Sequence, residues 1–141
     1  EEEEKRIVIE TTGSKEARLE KVLSAGEVVA LQEIVRKVPV PPSALDLAVR
    51  LARATRPGED HGPDFVRKWV AWGAGPRASQ SLVLGAKARA LLDGRFAASE
   101  GDVLAVAKPI LRHRIVLNFQ AEADGVRADR VVERLLETLA R

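Results

Sequence analysis

Proline and glycine cut this chain into pieces of helical length, and inside each piece the apolar residues recur every three to four positions. That combination admits short amphipathic helices and little else. Glu1 to Glu10 reads as a short charged helix broken by Thr11-Thr12-Gly13-Ser14. Ser24, with Glu27 three residues on, is a capping box ahead of Val28, Leu31, Ile34, Val35 and Val38. Pro39, Pro41 and Pro42 end that piece, because proline lacks the N–H a continuing helix needs. Ser43 with Asp46 opens the next, carrying Leu47, Leu51 and Ala54 on one face.

A loop dense in Pro, Gly and Asp follows, from Arg56 to Pro63, and Phe65 to Trp72 fits either a short helix or an extended segment. Pro76 suits the first position of a long helix reaching about Asp93, with Gly94 as its stop. Ser99 with Asp102 opens a helix through Val103, Ala107, Ile110 and Leu111, in which Pro109 predicts a kink. The last helix is expected from about Ala128 to Ala140, with Val131, Val132, Leu135, Leu136 and Leu139 as its stripe. The fold expected is all-α: a small bundle of four to five helices with a Pro/Gly-rich loop in the middle. A chain of 141 residues, 45% of them hydrophobic, is large enough to bury one core.

Several functions are excluded by what is missing. No cysteine is present, so there is no disulfide scaffold, zinc-thiolate site or thiol nucleophile. The two histidines, His61 and His113, stand far apart with no HExxH-type partner, and no metal site is expected. No apolar run approaches the roughly 18 residues that cross a bilayer, so the chain is expected to be soluble and cytoplasmic. It contains no glycine-rich phosphate loop, no kinase signature and no Ser/His/Asp order. It also lacks methionine and begins with four glutamates, a start that looks like a cut inside a longer polypeptide. The fragment alone is therefore expected to catalyse nothing.

The most unusual stretch runs from Trp69 through Trp72-Gly73-Ala74-Gly75-Pro76-Arg77 to Ser79. Two glycines let the backbone turn just before a helix whose first turn holds an arginine. A helix N-terminus exposes unpaired N–H groups and a partial positive charge. Arg77 adds a permanently charged planar fork that matches phosphate bidentately. The competing reading is a solvated first-turn arginine.

Gly73-Ala74-Gly75-Pro76-Arg77-Ala78 resembles the Gly-Ala-Ser-Pro-Arg-Ala motif in the C-terminal lid of MoxR-family AAA+ ATPases. Other stretches resemble that family in the same order. They are Leu23 to Val28 ahead of Val38-Pro39-Val40, Leu51 to Arg56, Ala86 to Arg95, and Asp102-Val103 with Leu111 to Ile115. Glu1 to Glu10 is similar to the helix that ends the ATPase core. The resemblance implies that residues 1–22 are the end of the core and a linker, and 23–141 the helical lid. It implies that Arg77 is the sensor 2 residue, reaching the γ-phosphate of ATP, with Gly73, Ala74 and Pro76 shaping its segment. Trp72 either touches the nucleotide or, with Val70, packs between helices. ATP and Mg²⁺ are implied as cofactors of the full-length protein. The partners implied are the AAA+ core of the same chain and neighbouring protomers of a hexamer. By the same resemblance the parent is a chaperone-like machine that remodels client proteins or inserts metal cofactors into them. Gly75 departs from the family's small hydroxyl residue, and Trp69 and Trp72 from its commoner tyrosines.

Four further arginines carry two readings each. Arg53 and Arg56 face a phosphate or a neighbouring subunit, or form a solvated helix end favoured by the dipole. Arg112 and Arg114 meet a partner, or are a helix-end cluster with His113 between them. An alternative function is a freestanding basic helical module that binds nucleic acid. It rests on the net charge of +5 over residues 43–115, against −2 before and −1 after. Interspersed acids and the lack of aromatic–basic interleaving argue against it.

Overall fold

A computed structural model describes residues 1–14, 19–58 and 62–139. The chain divides into two compact units, residues 1–30 and 31–141. The first holds α1 (Glu2–Thr12) and the start of α2 (Ala25–Lys37). Thr11 and Thr12 close α1 rather than break it, because each hydroxyl donates to a carbonyl one turn back, at 2.7 Å and 2.6 Å. No residue of α1 is buried. The capping box that opens α2 is formed as expected. The Glu27 N–H donates to Ser24 Oγ at 3.2 Å, and the Ser24 N–H donates back to Glu27 Oε2 at 2.7 Å.

The second unit contains α3 (Pro42–Ala54), α4 (Asp64–Trp69), β1 (Val70–Trp72), α5 (Pro76–Leu92), α6 (Glu100–Leu111), β2 (Val116–Leu117), α7 (Phe119–Ala123) and α8 (Ala128–Leu139). Its core is continuous. Leu47 and Leu51 of α3, Leu82 of α5, Val103 and Leu111 of α6, and Val131, Val132 and Leu135 of α8 are all buried. Small residues let the helices approach closely: Ala44, Ala48 and Ala52 on α3, and Ala78, Ala86 and Ala90 on α5, are fully enclosed.

The helical bundle is as the apolar spacing predicts, with more pieces than four to five. Eight helices occur among the described residues, two of them only five and six residues long. Segments that short carry no readable period. The ambiguous stretch from Phe65 to Trp72 is both things in turn: α4, then a strand paired antiparallel to β2, with Val70 opposite Leu117 and Trp72 opposite Val116. Ser43 and Asp46 make no cap. The N-cap is Pro41 and α3 begins at Pro42, two residues earlier than a Ser43 cap would place it, without a side-chain cap bond. The other helix limits follow the expected punctuation. Ser99 and Asp102 form a complete capping box, Pro109 sits inside α6, and Gly94 takes the left-handed φ of 71° after α5. No helix among the described residues is long and apolar enough to cross a membrane.

Candidate functional site

The strand β1 brings the chain out of α4 and points Gly73-Ala74-Gly75 across the end of α3. Thr55, the C-cap of α3, is fully buried, and its hydroxyl does two jobs. It donates to the Ala52 carbonyl at 2.6 Å and accepts the Ala74 N–H at 2.8 Å. The next residue completes the grip, since Arg56 Nε donates to the Ala74 carbonyl at 2.9 Å. Gly73 lies so close that a Cβ there would meet the Thr55 carbonyl oxygen at 2.4 Å. Only a glycine fits, and the reason is space rather than a positive φ.

One residue beyond Ala74, Gly75 is the N-cap of α5, in extended backbone and with no side-chain cap bond. Pro76 follows at the first helical position, exposed, with Arg77 beside it, also exposed. Among the described residues no ion pair or side-chain hydrogen bond engages the Arg77 guanidinium. Its backbone is held: the Ser81 hydroxyl donates to the Arg77 carbonyl at 2.9 Å. Arg114 reaches the same hydroxyl, with Nη2 donating to Ser81 Oγ at 3.3 Å. Arg114 is half-buried, and its Nε is enclosed without a hydrogen-bond partner among the described residues.

Trp72, directly before the turn, is 74% exposed, opposite exposed Val116 on the ribbon. The reading of Trp72 as packed between helices is thereby corrected. The register irregularity between Val70 and Trp72 interrupts the strand's alternation, so Val70 is buried while Trp72, two residues on, is turned outward. The structure thus joins Trp72, Gly73, Ala74, Pro76, Arg77 and Arg56 in one segment, and ties Arg114 to it through Ser81. Arg56 is not a bare helix end, because it serves the turn. Arg53 is exposed in the last turn of α3, and Arg112 is exposed at the C-cap of α6, near Lys108. His113 is an ordinary helix-end histidine, its Nδ1 2.9 Å from the Pro109 carbonyl oxygen. His61 lies outside the described residues.

Sequence reasoning missed Thr55, whose role had only a faint signal: a hydroxyl residue at a helix end that faces a glycine turn. It missed a charged cluster too. Asp102, only 1% exposed, accepts from Arg95 twice, from Arg89 at 3.0 Å, and from the Ser99 N–H and hydroxyl. The Arg95 guanidinium, and then the Ser99 and Arg89 donors, hold this carboxyl well below the usual range against the opposing effect of burial. Asp124 is held in the same way by Lys68, the Trp69 indole N–H and Gln120, with its pKa lowered to about 2.

A ribbon-led turn leads into a long helix with an exposed arginine on its first turn, set in a small helical bundle, and comparison with known proteins gives the class: the helical lid of an AAA+ ATPase. The family model for the AAA lid domain matches residues 65–135, and the chain belongs to that family. Over 138 residues it is 38% identical to Chaperone MoxR1 of Mycobacterium tuberculosis, covering 98% of this chain and 37% of that protein. It is 28% identical over 121 residues to the uncharacterized protein YeaC of Bacillus subtilis, covering 86% of this chain and 35% of that one. The crystal structure of a candidate ATPase from Cytophaga hutchinsonii superposes with a TM-score of 0.83 at 28% identity, over 96% of this chain and 42% of that chain. The chain thus spans little more than a third of the length of the curated relatives it matches.

Proposed function

We propose that this lid reads the nucleotide of a MoxR-type ATPase through Arg77, as a sensor 2 residue facing the γ-phosphate of ATP. The observation that carries the reading is the placement of Arg77. It stands exposed on the first turn of a 17-residue helix whose starting point is fixed from behind by Thr55 and Arg56. The residues fit an anion: helix-start N–H groups, no competing acid in the first turn, and a planar cation. Gly73, Ala74 and Pro76 shape the approach, and exposed Trp72 borders it as a surface for the base. Bound with Mg²⁺, ATP supplies the phosphoryl chemistry at the core. The lid's own residues orient and report, since an arginine on a mobile domain is held only while the terminal phosphate is present.

On this reading residues 1–22 are the end of the ATPase core and its linker, and 23–141 the lid. The core of the same polypeptide and neighbouring protomers of a cytoplasmic hexamer are the direct partners. The exposed arginines Arg53 and Arg112 are candidates for contacts between protomers. The output is chaperone-like remodelling of client proteins, or metal-cofactor insertion into them, in keeping with the name of the mycobacterial relative. The test is Arg77→Ala in the full-length protein, measured by ATP turnover. Turnover is expected to collapse while the lid stays folded. Unchanged turnover removes the sensor assignment.

A further inference from the structure

We infer that Thr55 and Arg56 are positioning residues for the nucleotide contact of Arg77, an inference that rests on the sensor reading above. The three observations behind it come from one place. The Ala74 N–H and the Ala74 carbonyl are taken by consecutive residues, Thr55 and Arg56, at 2.8 Å and 2.9 Å. Gly73 abuts the Thr55 carbonyl with no room for a side chain. Only Gly75 separates this clamp from Pro76, whose ring fixes φ as α5 begins.

The body of α5 is held by buried Ala78, Leu82 and Ala86, which set its axis. Of these only Ala78 lies in the first turn, and Pro76 and Arg77 ahead of it are exposed. The clamp fixes the approach to those two residues from the end of a different helix, so Arg77 is tied to α3. Contacts to a transferring phosphoryl group tolerate little error, and a displacement of about 1 Å costs on the order of a hundredfold. A clamp that uses both polar groups of one peptide restricts that error. It also gives the nucleotide contact a mechanical route to the rest of the lid, through the Thr55 hydroxyl into the last turn of α3 at Ala52.

The test uses the full-length protein and compares ATP with ADP, since only ATP offers the group that Arg77 addresses. Thr55→Val keeps the shape and removes the acceptor. ATP affinity is expected to fall about tenfold while ADP affinity stays within about twofold. Thr55→Ser is expected to restore it, and the Ala74 amide to exchange faster in Thr55→Val than in the wild type. Should Thr55→Val fold poorly, Arg56→Met is expected to show the same selective loss of ATP. Equal weakening of both nucleotides, or no weakening, in a folded variant overturns the inference. Arg77→Ala, measured alongside, separates the two claims. If it lowers ATP affinity selectively and the clamp variants do not, the clamp serves folding alone. If it does not, the sensor reading fails and the inference fails with it.

Discussion

Arg95 and Asp102 meet through both Nη atoms of the guanidinium, Nη1 to Oδ2 at 2.7 Å and Nη2 to Oδ1 at 2.5 Å. The pair lies where α5 gives way to α6, and Asp102 also accepts the Ser99 N–H that opens α6. One buried carboxylate therefore caps a helix and binds the turn that precedes it. Replacing Asp102 with Ala leaves the Ser99 N–H unpaired and two arginines with Asp93 as their remaining anion. Urea unfolding is expected to show a loss of about 2–4 kcal/mol, at the lower end because both arginines are partly exposed. A loss under about 0.5 kcal/mol would mean that water replaces the carboxylate.

The same geometry fixes how the lid responds to acid. Asp102 and Asp124 have lower pKa values folded than unfolded, Asp124 near 2 against an ordinary 3.8. Protons therefore bind the unfolded chain more readily. The stability these groups supply is full above about pH 4 and is lost as pH falls toward 2. Thermal melts from pH 6 to pH 2.5 should fall most steeply at the acid end. Asp124→Asn should flatten part of that slope, and an unchanged slope would show that Asp124 is not held as described.

Gly73 and Gly75 should respond oppositely to a methyl group. At Gly73 a Cβ meets backbone at 2.4 Å, so Gly73→Ala must push β1 off α3, at a cost of about 2–4 kcal/mol. At Gly75 a Cβ meets nothing within 4 Å, and the extended backbone suits an N-cap. Gly75→Ser adds an N-cap hydroxyl and should stabilise α5 by a few tenths of a kcal/mol. Calorimetry on the two variants checks both signs.

Arg77→Ala should leave the melting temperature of the lid nearly unchanged, because an exposed first-turn arginine contributes little to folding. A melting point that drops by several degrees would assign Arg77 to the scaffold instead.

The two tryptophans differ enough to be told apart in solution. Trp69 is half-buried, donates to Asp124 at 2.8 Å and carries the Arg134 guanidinium 5.2 Å from its ring. Trp72 is exposed. Acrylamide should quench mainly Trp72, and Trp72→Phe should leave a poorly quenched, blue-shifted emission. Strong quenching that survives the substitution would contradict the packing of Trp69.

The helices were legible because their limits are chemical. Ser24, Ser99, Pro76 and Gly94 each act within four residues of where they stand, so a local reading finds them. The Gly73 to Arg77 segment was legible as unusual for the same reason. What escaped was whatever depends on a partner far along the chain. The hydroxyl of Thr55 means nothing until Ala74 arrives 19 residues later, and Asp124 only becomes notable beside Lys68 and Trp69. Ser43 and Asp46 spelled a capping box that Pro41 and Pro42 had already made unnecessary. The short ribbon between β1 and β2 has too few residues for alternation to show.

That ribbon has a consequence for how the protein is made. Val70–Trp72 leaves the ribosome well before Val116–Leu117, with α5 and α6 still to come. The nascent Gly73–Gly75 turn can rest on α3 at once, yet its other flank stays bare until the partner strand emerges. Chains are extended at about 5–20 residues per second, so the bare edge lasts seconds. A polypeptide stalled or truncated before β2 would present the turn that leads into α5 and Arg77 behind an unpaired strand. The turn ahead of Arg77 is therefore supported on both flanks only once β2 has been made.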